Sequence, residues 1–290
     1  METLRTVAQV IDGATKKVGS GFEISSPMPG SRIRQLSPFL LIDHSGPTTI
    51  QPSEIPLGAD AHPHRGFETV TLVYQGYLDH RDTAGHSGSL GPWDVQWMTA
   101  GSGLLHEEKF GKAFSQKGGV VELIQLWVNV PKKDKMVTPR YQELDRDRIP
   151  VIEEPENKMR LRVIAGTYNG VSGPAKTYSP IELWDVQLGA GGHTIFHFPI
   201  AYNLGIYVVR GRVTVNNREA TTKQLVNFGW NAERVEITAT EDALLLILAG
   251  EPIEEPLATY GPFVMNTNKE LMQALQDYEA GTFGSFEKGA

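Results

Sequence analysis

Short apolar runs, each broken by glycine, proline or asparagine, set the main limit on how this chain can fold. Residues 69–74 are rich in β-branched and aromatic side chains and stop at Gly76. Residues 120–130 form a second such run, ended by Pro131. Further along, residues 205–209 stop at Gly211, and 213–215 stop at Asn216-Asn217. Residues 235–238 and 244–248 follow. Strands this short, with turn signals roughly every 8 to 12 positions, fit a β-sandwich or barrel. Only near the end does a helical period emerge. Thr267 and Glu270 have capping-box spacing, Leu271, Leu275 and Tyr278 share one helical face, and Gly281 sits where a helix would stop. The pattern predicts a short helix over 268–280, packed on the second half.

The runs also repeat. Residues 71–76 and 206–211 are each an apolar strand closed by a polar residue and glycine, near half the chain apart. A duplicated β-barrel explains this spacing, and 290 residues suffice for about two domains. The polar stretch 140–157, with Pro150 and Pro155, is the natural boundary. The expected division is 1–145 and 146–290.

Composition removes several function classes. There is no cysteine, which excludes disulfides, thiolate zinc, iron–sulfur clusters and a cysteine nucleophile. A formal net charge of −7 argues against direct nucleic-acid binding and against an anionic membrane surface. The longest apolar stretch, 243–249, is too short to span a bilayer. Residues 1–6 carry no apolar run after their charges, so no signal peptide is expected. The cytoplasm is the expected location, with the nucleus an option in a eukaryote.

The chemistry concentrates in two short segments. In an extended strand, residues i and i+2 point to one face. His62 and His64 therefore project together, and so do His106 and Glu108. If the two strands meet, three neutral imidazoles and one carboxylate surround a common point. Such an N/O set suits Fe(II), Mn(II), Ni(II), Cu(II) or Zn(II) better than Mg(II) or Ca(II). Six-coordination would leave two open positions, enough for a chelating substrate and dioxygen.

The strings around these residues are long and unusual. They are H-P-H-R-G-F-E-T-V from His62, G-H-S-G from Gly85, and Q-W-M-T-A-G-S-G-L-L-H-E-E from Gln96. To these add W-V-N at Trp127, K-M-V-x-P-x-Y-Q-E-L from Lys135 and G-P-F-V-M-N-T from Gly261. Together they resemble the pirin family over about 36–278. The resemblance implies an all-β fold of two tandem cupin (jelly-roll) barrels with a short C-terminal helix. It implies a metal-binding N-terminal cupin domain, with His62, His64, His106 and Glu108 as ligands and Fe(II) as the metal. It implies an Fe(II)-dependent dioxygenase cleaving a flavonol, of the quercetin 2,3-dioxygenase type, in which Glu108 accepts the substrate's 3-hydroxyl proton. The alternative it carries is an iron-containing regulator that binds a transcription factor or a metabolic enzyme with little turnover. Counting back from Gly211 as His62 lies from Gly76 gives His197, but Pro199 and Asn203 replace the next partners. The C-terminal barrel is therefore expected to hold no metal.

The remaining candidates have plainer readings. Glu68 is expected to support the ligands from behind or to form a salt bridge, for example with Arg65, and Glu107 to point outward. His80 and His193 are expected on the surface or in turns, and His44 in a hydrogen-bonded loop. His86 is a candidate for the cavity mouth. Trp93, Trp97 and Trp127 are expected to pack the core.

Overall fold

The computed structural model describes residues 2–18 and 22–286. Strands dominate, and the described residues hold two α-helices, Lys112–Lys117 and Asn268–Glu279. The apolar runs form the strands Phe67–Gln75, Gly119–Asn129, Asn203–Arg210, Arg212–Val215, Arg234–Ala239 and Ala243–Gly250. Helix Lys112–Lys117 is one the sequence pattern does not announce. Its six residues lie between Gly111 and Gly118, too few to display a helical period.

The chain forms two compact units. One holds Leu41–Arg146, with Thr15–Ile24 and the residues from Ile253 onward. The other holds Asp147–Pro252, with the residues up to Ala14 and Ser25–Leu40. The chain thus passes between units at Arg146 and Asp147, inside the polar stretch, and each unit also takes in a terminal segment from the far end of the sequence.

Each unit is built on one seven-stranded and one four-stranded antiparallel sheet. In the first unit the larger sheet contains, side by side, Val95–Thr99, Phe67–Gln75, Gly119–Asn129 and Phe39–Ile50. Its smaller sheet runs Gly58–His64, Leu104–Phe110, Leu78–Asp82, Ser87–Leu90. In the second unit a large apolar cluster packs between the sheets. Trp184, Phe196, Phe198, Ile206, Leu245 and Ile247 belong to one buried cluster drawn from both sheets. The all-β reading, tandem barrels with a short C-terminal helix, describes this architecture. No helix among the described residues is long and apolar enough to cross a membrane.

The helix Asn268–Glu279 begins at the capping box read from the sequence. Thr267 Oγ1 accepts from the Glu270 N–H, and the Glu270 carboxylate accepts from the Thr267 N–H. Its packing corrects the sequence expectation: it does not lie on the second half but belongs to the unit of Leu41–Arg146. The cause is Arg65. Its side chain is 5% exposed, so its charge needs a partner. Arg65 Nη1 donates to Asp277 Oδ2 at 2.7 Å, and the guanidinium lies 4.6 Å from the centre of the Phe283 ring. Phe263, Met265, Leu271, Ala274 and Phe283 form an apolar cluster beneath.

The second core sets a stability prediction. Ile206 is fully buried, whereas Ile195 on a strand of the same unit is 36% exposed. Ile206→Ala should cost about 2–5 kcal/mol, and Ile195→Ala about 0.5 kcal/mol or less. Urea unfolding midpoints of the two variants against the parent measure the difference.

Candidate metal centre

Three strands make the site. Leu104–Phe110 lies between Gly58–His64 and Leu78–Asp82, antiparallel to both. Alternation along the central strand is strict: Leu104, His106, Glu108 and Phe110 are buried, while Leu105, Glu107 and Lys109 are not. Pairing sets His106 opposite His62 on one side and Asp82 on the other. Glu108 is opposite Ala59 and His80, and a bulge separates it from His106 on the Gly58–His64 side.

The imidazoles of His62, His64 and His106 meet. Ring centres lie 4.8 Å apart for His62–His64, 4.3 Å for His62–His106 and 4.8 Å for His64–His106. One nitrogen from each falls within 4.8 Å of the others. Glu108 falls within the same distance of His106 and of a fourth histidine, His80. Two ligands at about 2.1 Å from one ion can be no more than about 4.2 Å apart. Closing either set on a cation thus needs shifts of only tenths of an ångström.

Tautomers point the same way. His62 Nδ1 lies 2.7 Å from Asp60 O, and His64 Nδ1 lies 3.3 Å from Pro262 O. A carbonyl oxygen only accepts, so Nδ1 carries the proton in both rings and Nε2 keeps its lone pair. Metal-ligating histidines are oriented by such bonds. His64 Nε2 and both ring nitrogens of His106 are buried without a hydrogen-bond partner. An unsatisfied buried polar atom costs roughly 1–3 kcal/mol, and a cation would satisfy His64 Nε2 and one ring nitrogen of His106. Burial, then the neighbouring His62, pushes the His64 imidazole down to about 3. Burial and the surrounding imidazoles also hold His106 well below the ordinary histidine value. Both rings are therefore neutral at physiological pH, the form that ligates.

Glu108 is held from the facing sheet. Gln96, Thr71 and Gln125 sit in one register row across three adjacent strands. Thr71 Oγ1 donates to Glu108 Oε1 at 3.0 Å, Gln96 Nε2 donates to the same oxygen, and Gln125 Nε2 donates to Oε2 at 2.7 Å. Tyr141 OH donates to Gln96 Oε1 at 3.2 Å and so fixes which end of that amide faces the carboxylate. These four partners were not among the sequence candidates. Inward alternation on strands flanking the two histidine-bearing segments is the signal that could have found them.

Several plainer expectations are corrected. His80 is not on the surface: its side chain is fully buried beside His106, because its strand pairs with Leu104–Phe110. His44 lies on the strand Phe39–Ile50, not in a loop, 3.3 Å from Glu122. Glu68 does not pair with Arg65, which Asp277 engages. Glu68 is buried and accepts from Thr99 Oγ1 at 2.7 Å, with Arg140 at 3.7 Å; burial pushes its carboxyl up to about 7. Glu107 faces outward and accepts from Arg81. His86, one-third exposed, bonds Asp82. Trp97 is fully buried, and Trp127 packs on His64 and Phe67. A cavity of about 110 Å³ opens at the site, lined by Ile24, Asp43, His62, Leu78, Glu108 and Gln125 among others.

Comparison with known proteins fits this geometry. The Pirin family profile matches residues 21–128, and the Pirin C-terminal cupin domain profile matches residues 183–284. A Pseudomonas aeruginosa protein named "Putative quercetin 2,3-dioxygenase" is 46% identical over 92% of this chain and 93% of its own length. A Solanum lycopersicum pirin-like protein is 35% identical over 98% of this chain and 94% of its own. A crystal structure of quercetin 2,3-dioxygenase from Acinetobacter baumannii is 38% identical, with a TM-score of 0.93 over 98% of this chain and 99% of that one.

Burial of these groups predicts a pH dependence for the metal-free protein. Between about pH 4.5 and 6.5, His64 and His106 take up protons only on unfolding, so the unfolded state binds more of them. Glu68 acts oppositely, because its folded value is raised and the folded state binds that proton. The two histidines outweigh the one acid, so stability should rise with pH across this window. His64→Asn should flatten the rise, and Glu68→Gln should steepen it. Urea unfolding at a series of pH values measures both slopes.

Proposed function

This chain belongs to the pirin family of cupin proteins, and from that membership we propose that it is a metal-dependent dioxygenase of the quercetin 2,3-dioxygenase type. The observation that carries the reading is the cluster of His62, His64 and His106, one nitrogen from each turned to a common point, with those of His64 and His106 buried and unpartnered and Glu108 nearby. These four residues would hold the cation, and Fe(II) is the ion we assign. Other divalent transition metals suit the same N/O donors. Such an ion, when bound, supplies a Lewis acid and a redox partner for dioxygen chemistry.

The chain's own residues do the rest. Glu108 takes the proton of a flavonol hydroxyl that enters beside His62, at the point where both residues line the cavity. Thr71, Gln96 and Gln125 keep that carboxylate turned toward the site throughout. Ile24, Leu78 and Leu123 give the cavity apolar walls that limit water. The cavity, at about 110 Å³, is smaller than the roughly 300–1,000 Å³ of sites that enclose a drug-sized ligand. The hydroxyl-bearing edge of a flavonol therefore enters, while its remaining ring stays at the mouth. The other unit, filled by Trp184, Phe196 and Phe198, serves structure and not metal chemistry.

The small cavity also favours a second reading, a metal-containing regulator that binds a transcription factor or metabolic enzyme. One experiment separates the two. The protein is loaded with Fe(II) without air, then given quercetin and oxygen, and flavonol absorbance is followed. Turnover that falls at least about a hundredfold in both His62→Ala and Glu108→Ala supports the dioxygenase. One bound iron per chain with no turnover in the parent protein supports the regulator and contradicts the dioxygenase.

A further inference from the structure

The geometry points to a second cation position beside the first, formed by His80, His106 and Glu108, with His80 as a metal ligand. It rests on the reading that the imidazole cluster holds a cation, and extends it. The two positions share His106 and Glu108, and a cation moves between them instead of filling both.

Four observations carry this. First, one donor atom each from His80, His106 and Glu108 lies within 4.8 Å of the other two, the same closeness as in the His62, His64, His106 set. Second, all three are buried, and His80 is completely so at its side chain. Third, His80 is prepared as a ligand. Its Nε2 lies 3.4 Å from Asp82 Oδ2, and a carboxylate only accepts, so Nε2 carries the proton. The lone pair is then on Nδ1, which is buried and has no hydrogen-bond partner. A carboxylate that fixes the tautomer of an imidazole is the arrangement found behind metal-ligating histidines. Asp82 is itself held, accepting from the Ala84 and His86 N–H groups at 2.9 and 3.0 Å.

Fourth, strand pairing explains why there are two sets. His106 is opposite His62, but the bulge displaces Glu108 from that strand's ligand pair. On its other side Glu108 is directly opposite His80 without interruption. The central strand thus offers an imidazole to one neighbour and a carboxylate to the other. A structural histidine in this position would be expected to bond through both nitrogens; His80 bonds through one.

The test is a double-mutant cycle on metal affinity, read with Co(II) alone. Full-length protein is stripped of metal, and Co(II) affinity is measured by chelator competition in four forms: parent, His62→Ala, His80→Ala and the double variant. Bound Co(II) per chain is counted after equilibrium dialysis. His80→Asn repeats the measurement with a smaller loss of packing, and far-UV circular dichroism checks that each form is folded. His62 belongs only to the first set, so His62→Ala should weaken binding yet still hold about one Co(II). Removing His80 should cost at least tenfold in the His62→Ala background and less than threefold in the parent. The visible Co(II) spectrum of His62→Ala should differ from the parent and be lost in the double variant. Equal effects of His80 removal in both backgrounds, or no Co(II) binding by folded His62→Ala, would overturn the second position alone. A parent protein that binds no Co(II) would overturn both this inference and the cation site beneath it.

Discussion

Alternation along the strand Leu104–Phe110 is the constraint on which the site depends. The strand is shared between two partners, so its inward residues face groups from both. A one-residue slip would turn Glu107 and Leu105 inward and expel His106 and Glu108. The surrounding structure guards against that slip. Leu104 and Phe110 bury apolar side chains at either end of the same face, and Glu107 is tied outward by Arg81. Packing and ion pairing on the two faces thereby fix the chemistry between them.

The facing sheet supplies what the strand Leu104–Phe110 cannot. Gln96, Thr71 and Gln125 form a polar row across three adjacent strands. Buried polar groups of this kind need mutual satisfaction, and Glu108 provides it by accepting from all three. The carboxylate is consequently oriented before any ligand arrives. The C-terminal segment contributes from another direction. The Pro262 carbonyl sets the tautomer of His64, and Asp277 engages Arg65 next to it. Residues at the far end of the chain therefore take part in a site whose side chains come from its first half.

Much of this was legible in the sequence, and the reason is local. Strand runs and their glycine stops need only neighbouring residues to be read, as does the Thr267–Glu270 cap. The spacing of His62 with His64, and of His106 with Glu108, states which side chains share a face. What the sequence withheld depends on pairing between distant strands. His80 looked like a surface residue because nothing near it in sequence reveals that its strand lies against Glu108. Glu68 lost its expected partner because Arg65 is reached from residue 277, more than two hundred positions away. The seat of the terminal helix depends on pairing of the same kind, because Asp277 on it meets Arg65, a buried residue from the other half of the sequence.

The central claim is that His62, His64 and His106 converge on a cation with Glu108 beside them. The most direct measurement is X-ray diffraction from Fe(II)-loaded crystals at wavelengths on either side of the iron absorption edge. The account predicts an anomalous peak within bonding distance of a His106 nitrogen, inside the cavity lined by His62 and Glu108. Iron bound elsewhere on the chain, or no peak between these residues in crystals that contain iron, would contradict it.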